Sequence, residues 1–387
     1  MDFIFILFFV IVGLILSGTL LKNEDKVHVG NLQILFIYHV LIGFAYYFYT
    51  KNGGGDAWGY WTSGKSLTPS QFWYYLVNEK STYFVNALNY ITANLLGMGY
   101  LANSMLYCLI GYVGIVFFYI IALQVIPYNS KLSIFKQFPL LFFLPNLHFW
   151  SSGVGKDSLI LFCIGLFVYG LLKIGKRLPL ILFSMLMIYL IRSHILLLLL
   201  LGFGLAYLIN SKLNNFKRVI MSLLLITVAI AVIPSVMEAT KIKEASVKSI
   251  NVFSKTKVKQ LSGIETGSSV NISSYPFPLK VFTFLYRPLF FDINGVLGLI
   301  ASIENLLLLL ISLQLLWQRP WRTFMASPFV IKGLIIFMIL GTIVFSQSLG
   351  NLGIMIRMRN MLLPALILFI YWNNSFRIQE RKSANSV

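Results

Sequence analysis

Apolar residues in this chain do not alternate with polar ones; they come in long blocks. Measured against the roughly 20 residues a helix needs to cross a bilayer core, eleven segments stand out: 3–21, 32–50, 99–124, 138–150, 158–172, 178–191, 195–210, 219–235, 296–317, 328–346 and 360–372. Unbroken apolarity predicts helices, because barrel strands would alternate lipid-facing and lumen-facing residues. The expected fold is all-α: a polytopic transmembrane helical bundle of about eleven spans, forming a single integral membrane domain over 1–387. Two longer polar connections interrupt it. Residues 51–98 read as an outer loop with interfacial helices, since Gln71 to Tyr90 stays aromatic and weakly amphipathic. Residues 236–290 read as a basic extracytoplasmic loop.

Composition narrows the class. Of 387 residues, 58% are hydrophobic and 11% charged, against roughly 25% charged in soluble domains. That excludes a soluble enzyme, a secreted disulfide scaffold and a disordered chain. The aromatic content fits a protein with two membrane–water interfaces. Cys108 and Cys163 both fall inside apolar blocks and read as buried free thiols. Met1-Asp2-Phe3 carries no positive leader, so the first block reads as a span rather than a signal peptide.

A net charge of +19 in a membrane chain points to cytoplasmic anchoring and to anionic lipid or phosphate. With the N-terminus outside, the inward segments hold Lys22 and Lys26, Lys131 and Lys136, Lys173, Lys176 and Arg177, Lys212, Lys217 and Arg218, Arg319 and Arg322, and Arg377, Arg381 and Lys382. Every short inward loop is then basic, as the positive-inside rule requires. The predicted C-terminus is cytoplasmic. Asp56, Lys156, Asp157, Arg192, His194, Arg287, Asp292, Arg357 and Arg359 fall at the outward ends. Blocks 138–150 and 360–372 make only about 20 Å of helix, so their polar ends would lie below the outer interface. A charge near mid-bilayer costs about 2.5–3.5 kcal/mol, and these residues are expected to converge on a protein-lined cavity. Ordinary interfacial anchoring is the competing reading.

Several constellations carry candidate chemistry. Gly53-Gly54-Gly55-Asp56-Ala57-Trp58-Gly59-Tyr60-Trp61 opens the first outer loop. Its glycines permit a tight turn and close approach of the backbone to a ligand. Asp56 could serve as general base on a sugar hydroxyl, with Trp58 and Tyr60 offering flat faces to the sugar; a plain interfacial belt is the alternative. In Pro145–Ser158 two half-length blocks meet at a Gly/Ser-rich polar break, the pattern of a re-entrant or discontinuous helix pair. If Asp157 and Ser158 open the next helix, its positive end favours a phosphate, with Lys156 beside it. This is not a P-loop, because Trp150 stands where that motif needs glycine. A structural Lys156–Asp157 pair is the alternative.

Arg192-Ser193-His194 interrupts an apolar stretch. With Arg287, Arg357 and Arg359 it supplies guanidinium forks suited to pyrophosphate oxygens; the opposing reading pairs Arg287 with Asp292 or Glu304 as internal glue. His28, His39, His148 and His194 show no zinc spacing, so neither metal nor cofactor is expected.

Together, the Gly-Asp-aromatic segment, His148-Phe149-Trp150-Ser151-Ser152-Gly153-Val154-Gly155-Lys156-Asp157, the outer arginines and the closing stretch Asn351 to Pro364 make the chain resemble bacterial oligosaccharide repeat-unit (O-antigen and exopolysaccharide) polymerases. More broadly it resembles GT-C-type membrane glycosyltransferases, over most of its length in organisation. The resemblance implies a cell-envelope enzyme of the bacterial cytoplasmic (inner) membrane. It would polymerise oligosaccharides carried on a polyprenyl pyrophosphate such as undecaprenyl pyrophosphate, at the outer face. Its partners would be that lipid-linked oligosaccharide, membrane lipids and polysaccharide-assembly proteins, with no nucleic acid. Asp56 falls where such enzymes carry a carboxylate; Arg192, Arg287, Arg357 and Arg359 match their arginine set. The Gly-Lys-Asp break departs from the family pattern and the long loop does not align, so the base stays open between Asp56, Asp157 and His194. A transporter or flippase of lipid-linked glycans is the second reading; it would spread charge along a path through the membrane.

Overall fold

The computed structural model describes residues 2–21, 26–127, 138–210 and 268–385, with scattered positions between 216 and 258. Among them regular structure is helical, apart from one isolated antiparallel bridge between Ser269 and Asn351. Among the described residues six helices are long and apolar enough to cross a membrane, or seven counting one bent pair. The protein is an all-α polytopic membrane helical bundle.

The count of eleven is not reproduced, for reasons of length and continuity. Block 138–150 forms a 3-10 turn, Leu140–Phe143, and the five-residue helix Pro145–Phe149. Block 158–172 forms a helix of 16 residues, just short of the roughly 17–25 a span needs. Blocks 178–191 and 195–210 follow one another along Ile174–Asn210, whose backbone leaves helical geometry between them at Arg192. Block 219–235 and the lysines Lys241, Lys243, Lys248, Lys255, Lys257 and Lys259 lie wholly or largely outside the described residues.

The chain divides into two compact units, Met1–Arg192 and Ser193–Val387. The first contains α1 (Asp2–Thr19), α2 (Lys26–Lys51), α3 (Ala57–Lys65), α4 (Pro69–Asn78), α5 (Thr82–Tyr90), α6 (Tyr100–Val125), α7 (Pro145–Phe149), α8 (Lys156–Leu171) and the opening part of α9 (Ile174–Asn210). Helix α6 is the most enclosed of the spans. Small residues let backbones meet there, as in other membrane bundles. A Cβ on Gly114 would stand 2.7 Å from the Phe162 Cα of α8, and one on Gly165 2.8 Å from the Gly114 carbonyl.

The aromatic stretch Gln71 to Tyr90 forms parts of two helices, α4 and α5. Thr68 and Gln71 start α4 with a reciprocal capping box and Pro69 at its first position. Phe72 of α4 stacks on Tyr90 of α5 with centroids 4.6 Å apart. Trp73, Tyr74 and Val77 point outward on α4, an arrangement suited to an interface.

The second unit contains the rest of α9, then α10 (Phe277–Tyr286), α11 (Gly295–Trp317), α12 (Pro320–Ala326), α13 (Phe329–Ser348), α14 (Leu352–Arg359) and α15 (Leu363–Asn385). On α11 the buried positions Ser302, Glu304, Asn305, Leu308, Ser312 and Leu315 fall along one side of the helix. Gly202 of α9 lies against the Phe337 backbone of α13, where a Cβ would come within 2.8 Å. Helices α14 and α15 form the bent pair, at 55°. Asn351 caps α14, its Oδ1 accepting from the Ile354 amide at 3.2 Å.

Candidate functional site

In the first unit the polar break of 150–155 ends on Gly155, whose φ of 150° belongs to glycine. Helix α8 then begins at Lys156, with Asp157 in its first turn. The Lys156 ammonium donates to Ser81 Oγ at 2.8 Å and to Thr82 Oγ1 at 2.8 Å. It also lies 5.6 Å from the Tyr60 ring centroid. Ser81 and Thr82 open α5, so two helix starts meet at one ammonium. Neither has a side-chain cap: Ser81 does not cap α5 and Gly155 cannot cap α8. The N-terminal ends of both helices, the positive ends of their dipoles, thus lie at the Lys156 side chain.

Ser81 holds φ 59° and ψ −117°, a strained conformation for a residue with a Cβ, costing about 1–3 kcal/mol. Its amide is fixed by the Leu190 carbonyl at 2.7 Å. Next to it, Lys80 donates to Tyr189 Oη at 3.0 Å and sits 4.5 Å from that ring's centroid. Three residues after Tyr189, Arg192 breaks α9 with φ −150° and ψ 81° and pairs with the buried Asp157 at 2.8 Å. The cluster has mixed charge, since Asp157 and the neighbouring Glu79 offset part of Lys80, Lys156 and Arg192. An anion there would rely on Lys156, the hydroxyls and the helix amides together.

Asp56 is exposed at the start of α3, one turn before the buried Tyr60, whose amide donates to the Asp56 carbonyl at 3.0 Å. Trp58 is partly exposed and packs against Tyr100 with centroids 4.8 Å apart. So Tyr60, Lys156, Asp157 and Arg192 come together, with Asp56 a helical turn from Tyr60.

The second unit assembles a different cluster. Arg287 holds Asp292 with two hydrogen bonds, Nε to Oδ2 at 2.9 Å and Nη2 to Oδ1. The Leu289 amide also donates to Asp292 at 3.0 Å. Burial would raise the Asp292 carboxyl, but the hydrogen bonds from Arg287 and Leu289 and the guanidinium charge outweigh it and hold it below its ordinary value. Arg359, fully enclosed on α14, donates to the Phe284 and Leu285 carbonyls at the end of α10 and to Asn305 Oδ1. Asn305 in turn donates to the Pro288 carbonyl at 2.8 Å. Arg357 lies half-buried two residues before Arg359. His194 packs edge-on against Phe345, with centroids 6.1 Å apart.

Sequence reading missed Lys80, Ser81, Thr82 and Tyr189. The one local signal was a short polar interruption, Glu79 to Thr82, in an otherwise aromatic stretch. Among the described residues no group of three or more His, Cys, Asp or Glu side chains could hold a metal ion. Comparison with protein-family models, with curated protein sequences and with solved structures gives no match. Fold and site therefore define a class, a polytopic α-helical membrane protein with polar clusters in both of its units.

Proposed function

We propose that the protein is a membrane glycosyltransferase that polymerises polyprenyl-pyrophosphate-linked oligosaccharide repeat units. The observation that carries this reading is Lys156 at the meeting of two uncapped helix starts, ringed by Ser81, Thr82 and Tyr60. Lys156, the two hydroxyls and the amides of α5 and α8 would hold the pyrophosphate and stabilise charge on it as it departs. A hydroxyl of a second lipid-linked chain attacks the anomeric carbon, the bond to the pyrophosphate breaks, and a base takes the hydroxyl proton. Asp56 is the preferred base: it is exposed, whereas Asp157 is buried and paired with Arg192. Arg192 and Asp157 then act as positioning residues for the start of α8. The resemblance supplies the sugar chemistry; the geometry supports an anion site.

The orientation proposed with it, at the bacterial cytoplasmic membrane, places the N-terminus outside and the C-terminus in the cytoplasm. That needs an odd number of crossings, as the eleven apolar blocks would give.

The test uses full-length protein in proteoliposomes supplied with a polyprenyl-pyrophosphate-linked repeat unit. Wild type is expected to lengthen the chains into a ladder, and Asp56→Asn to abolish the ladder while still binding the lipid. Translocation without any change in chain length would replace this reading with transport.

A further inference from the structure

Away from that cluster, two histidines meet in the interior of the first unit. His39 of α2 and His148 of α7 are both fully buried, and their Nδ1 atoms lie 2.8 Å apart. His39 Nε2 is 3.0 Å from the Cys108 carbonyl oxygen of α6, and His148 Nε2 is 2.7 Å from the Phe142 carbonyl oxygen. A carbonyl oxygen only accepts, so each Nε2 must carry a proton. The Nδ1–Nδ1 contact needs one more proton, donated by one ring and accepted by the other. Three hydrogen bonds therefore require three ring protons, and two neutral imidazoles carry two.

We infer that His39 and His148 form a single proton-binding site, an imidazole–imidazolium pair with one net positive charge shared across the Nδ1–Nδ1 bond. The inference is independent of the proposed glycosyl transfer. The spacing is that of a hydrogen bond rather than of two ligands on one metal: two imidazole nitrogens on a tetrahedral zinc stand about 3.3 Å apart. Among the described residues the titratable groups facing the pair are Tyr38 on α2, its ring centroid 4.8 Å from that of His148, and Tyr112 on α6, 6.1 Å from His39. Cys108 on α6 adds a thiol that donates to the His39 carbonyl at 3.8 Å. From α1, Ser17 reaches the Tyr112 hydroxyl at 2.6 Å. None of these is a carboxylate, so the charge is met by the two carbonyl dipoles. Loss of the third proton would set lone pair against lone pair at one of the three contacts, and a ring must then turn. The proton thus fastens α7 to α2, and through His39 to α6, and α7 leads directly into the break that precedes Lys156.

The test is 15N NMR of full-length protein in lipid nanodiscs, labelled at histidine. The expected result is a through-hydrogen-bond coupling between two Nδ1 atoms, with three protonated ring nitrogens over the two rings. His148→Asn should leave His39 with one ring proton and no coupling, which assigns the signals. The wild-type spectrum stands alone if that variant does not fold, because the coupling itself singles out the pair. Two neutral rings sharing the coupling, or no coupling at all, would overturn the inference.

Discussion

Both units bury arginines beside a carboxylate, but the two clusters use their cations differently. In the second unit each guanidinium mapped by hydrogen bonds is spent on fixed acceptors: Arg287 on Asp292, Arg359 on Asn305 and on carbonyls that end α10. Those carbonyls are the orphan acceptors of a helix C-terminus, and a cation there also meets the negative end of the dipole. An anion would have to break those bonds to enter. In the first unit Lys156 is held by two hydroxyls. A hydroxyl that accepts from Lys156 can still donate to a phosphate, so an anion at the proposed site would add to the arrangement rather than break it. The lesson is that charge and burial alone do not mark a binding site; what the cation is already bonded to decides.

Substitutions sharpen that contrast, and the largest effect belongs to the second unit. Arg359→Met would strand Asn305 and the α10 carbonyls in an enclosed site, at about 1–3 kcal/mol for each unsatisfied group. Thermal unfolding in detergent is expected to show a loss of about 3 kcal/mol or more. A variant as stable as wild type would break the view of this cluster as internal fastening.

Next comes the Arg192–Asp157 pair, with side chains only 9% and 4% exposed. Arg192→Met and Asp157→Asn should each destabilise by about 2–4 kcal/mol, since either leaves a buried charge alone. The double variant should lose clearly less than the sum, and additive losses would deny the coupling.

A smaller change is expected at Ser81. Ser81→Gly relieves the strained backbone, while Ser81→Ala keeps it, so the glycine variant should be more stable than the alanine by about 1 kcal/mol. Equal melting temperatures would show that the conformation is relaxed.

The smallest effect is acid-dependent. The Asp292 carboxyl is held below its ordinary value, so its contribution is present above the usual carboxylate range and fades as pH falls through the lowered value. Unfolding of wild type and Asp292→Asn, followed from pH 7 down, should converge at low pH; a constant gap would contradict the pairing.

Much of this was written in local pattern. Arg192-Ser193-His194 interrupts a run of leucine and isoleucine, and the helix breaks at Arg192. The Gly/Ser-rich stretch before Lys156 shows that no helix continues there, and α8 starts at Lys156. What local pattern does not carry is the pairing of Lys156 with Ser81, 75 positions apart, or of Arg359 with the end of α10. Such contacts depend on which helices pack, and apolar blocks look alike whichever neighbour they meet. The span count failed for a related reason: hydropathy does not separate a short buried helix such as α7 from a crossing.

The proposed function requires the meeting of α5 and α8 to bind a pyrophosphate headgroup. The most direct measurement is the affinity of full-length protein in nanodiscs for a polyprenyl pyrophosphate, compared between wild type, Lys156→Ala and Arg287→Ala. At least a tenfold loss is expected for Lys156→Ala, worth about 1.4 kcal/mol, with little change in melting temperature and near-wild-type binding for Arg287→Ala. Undiminished binding by Lys156→Ala, or a loss confined to Arg287→Ala, would contradict it.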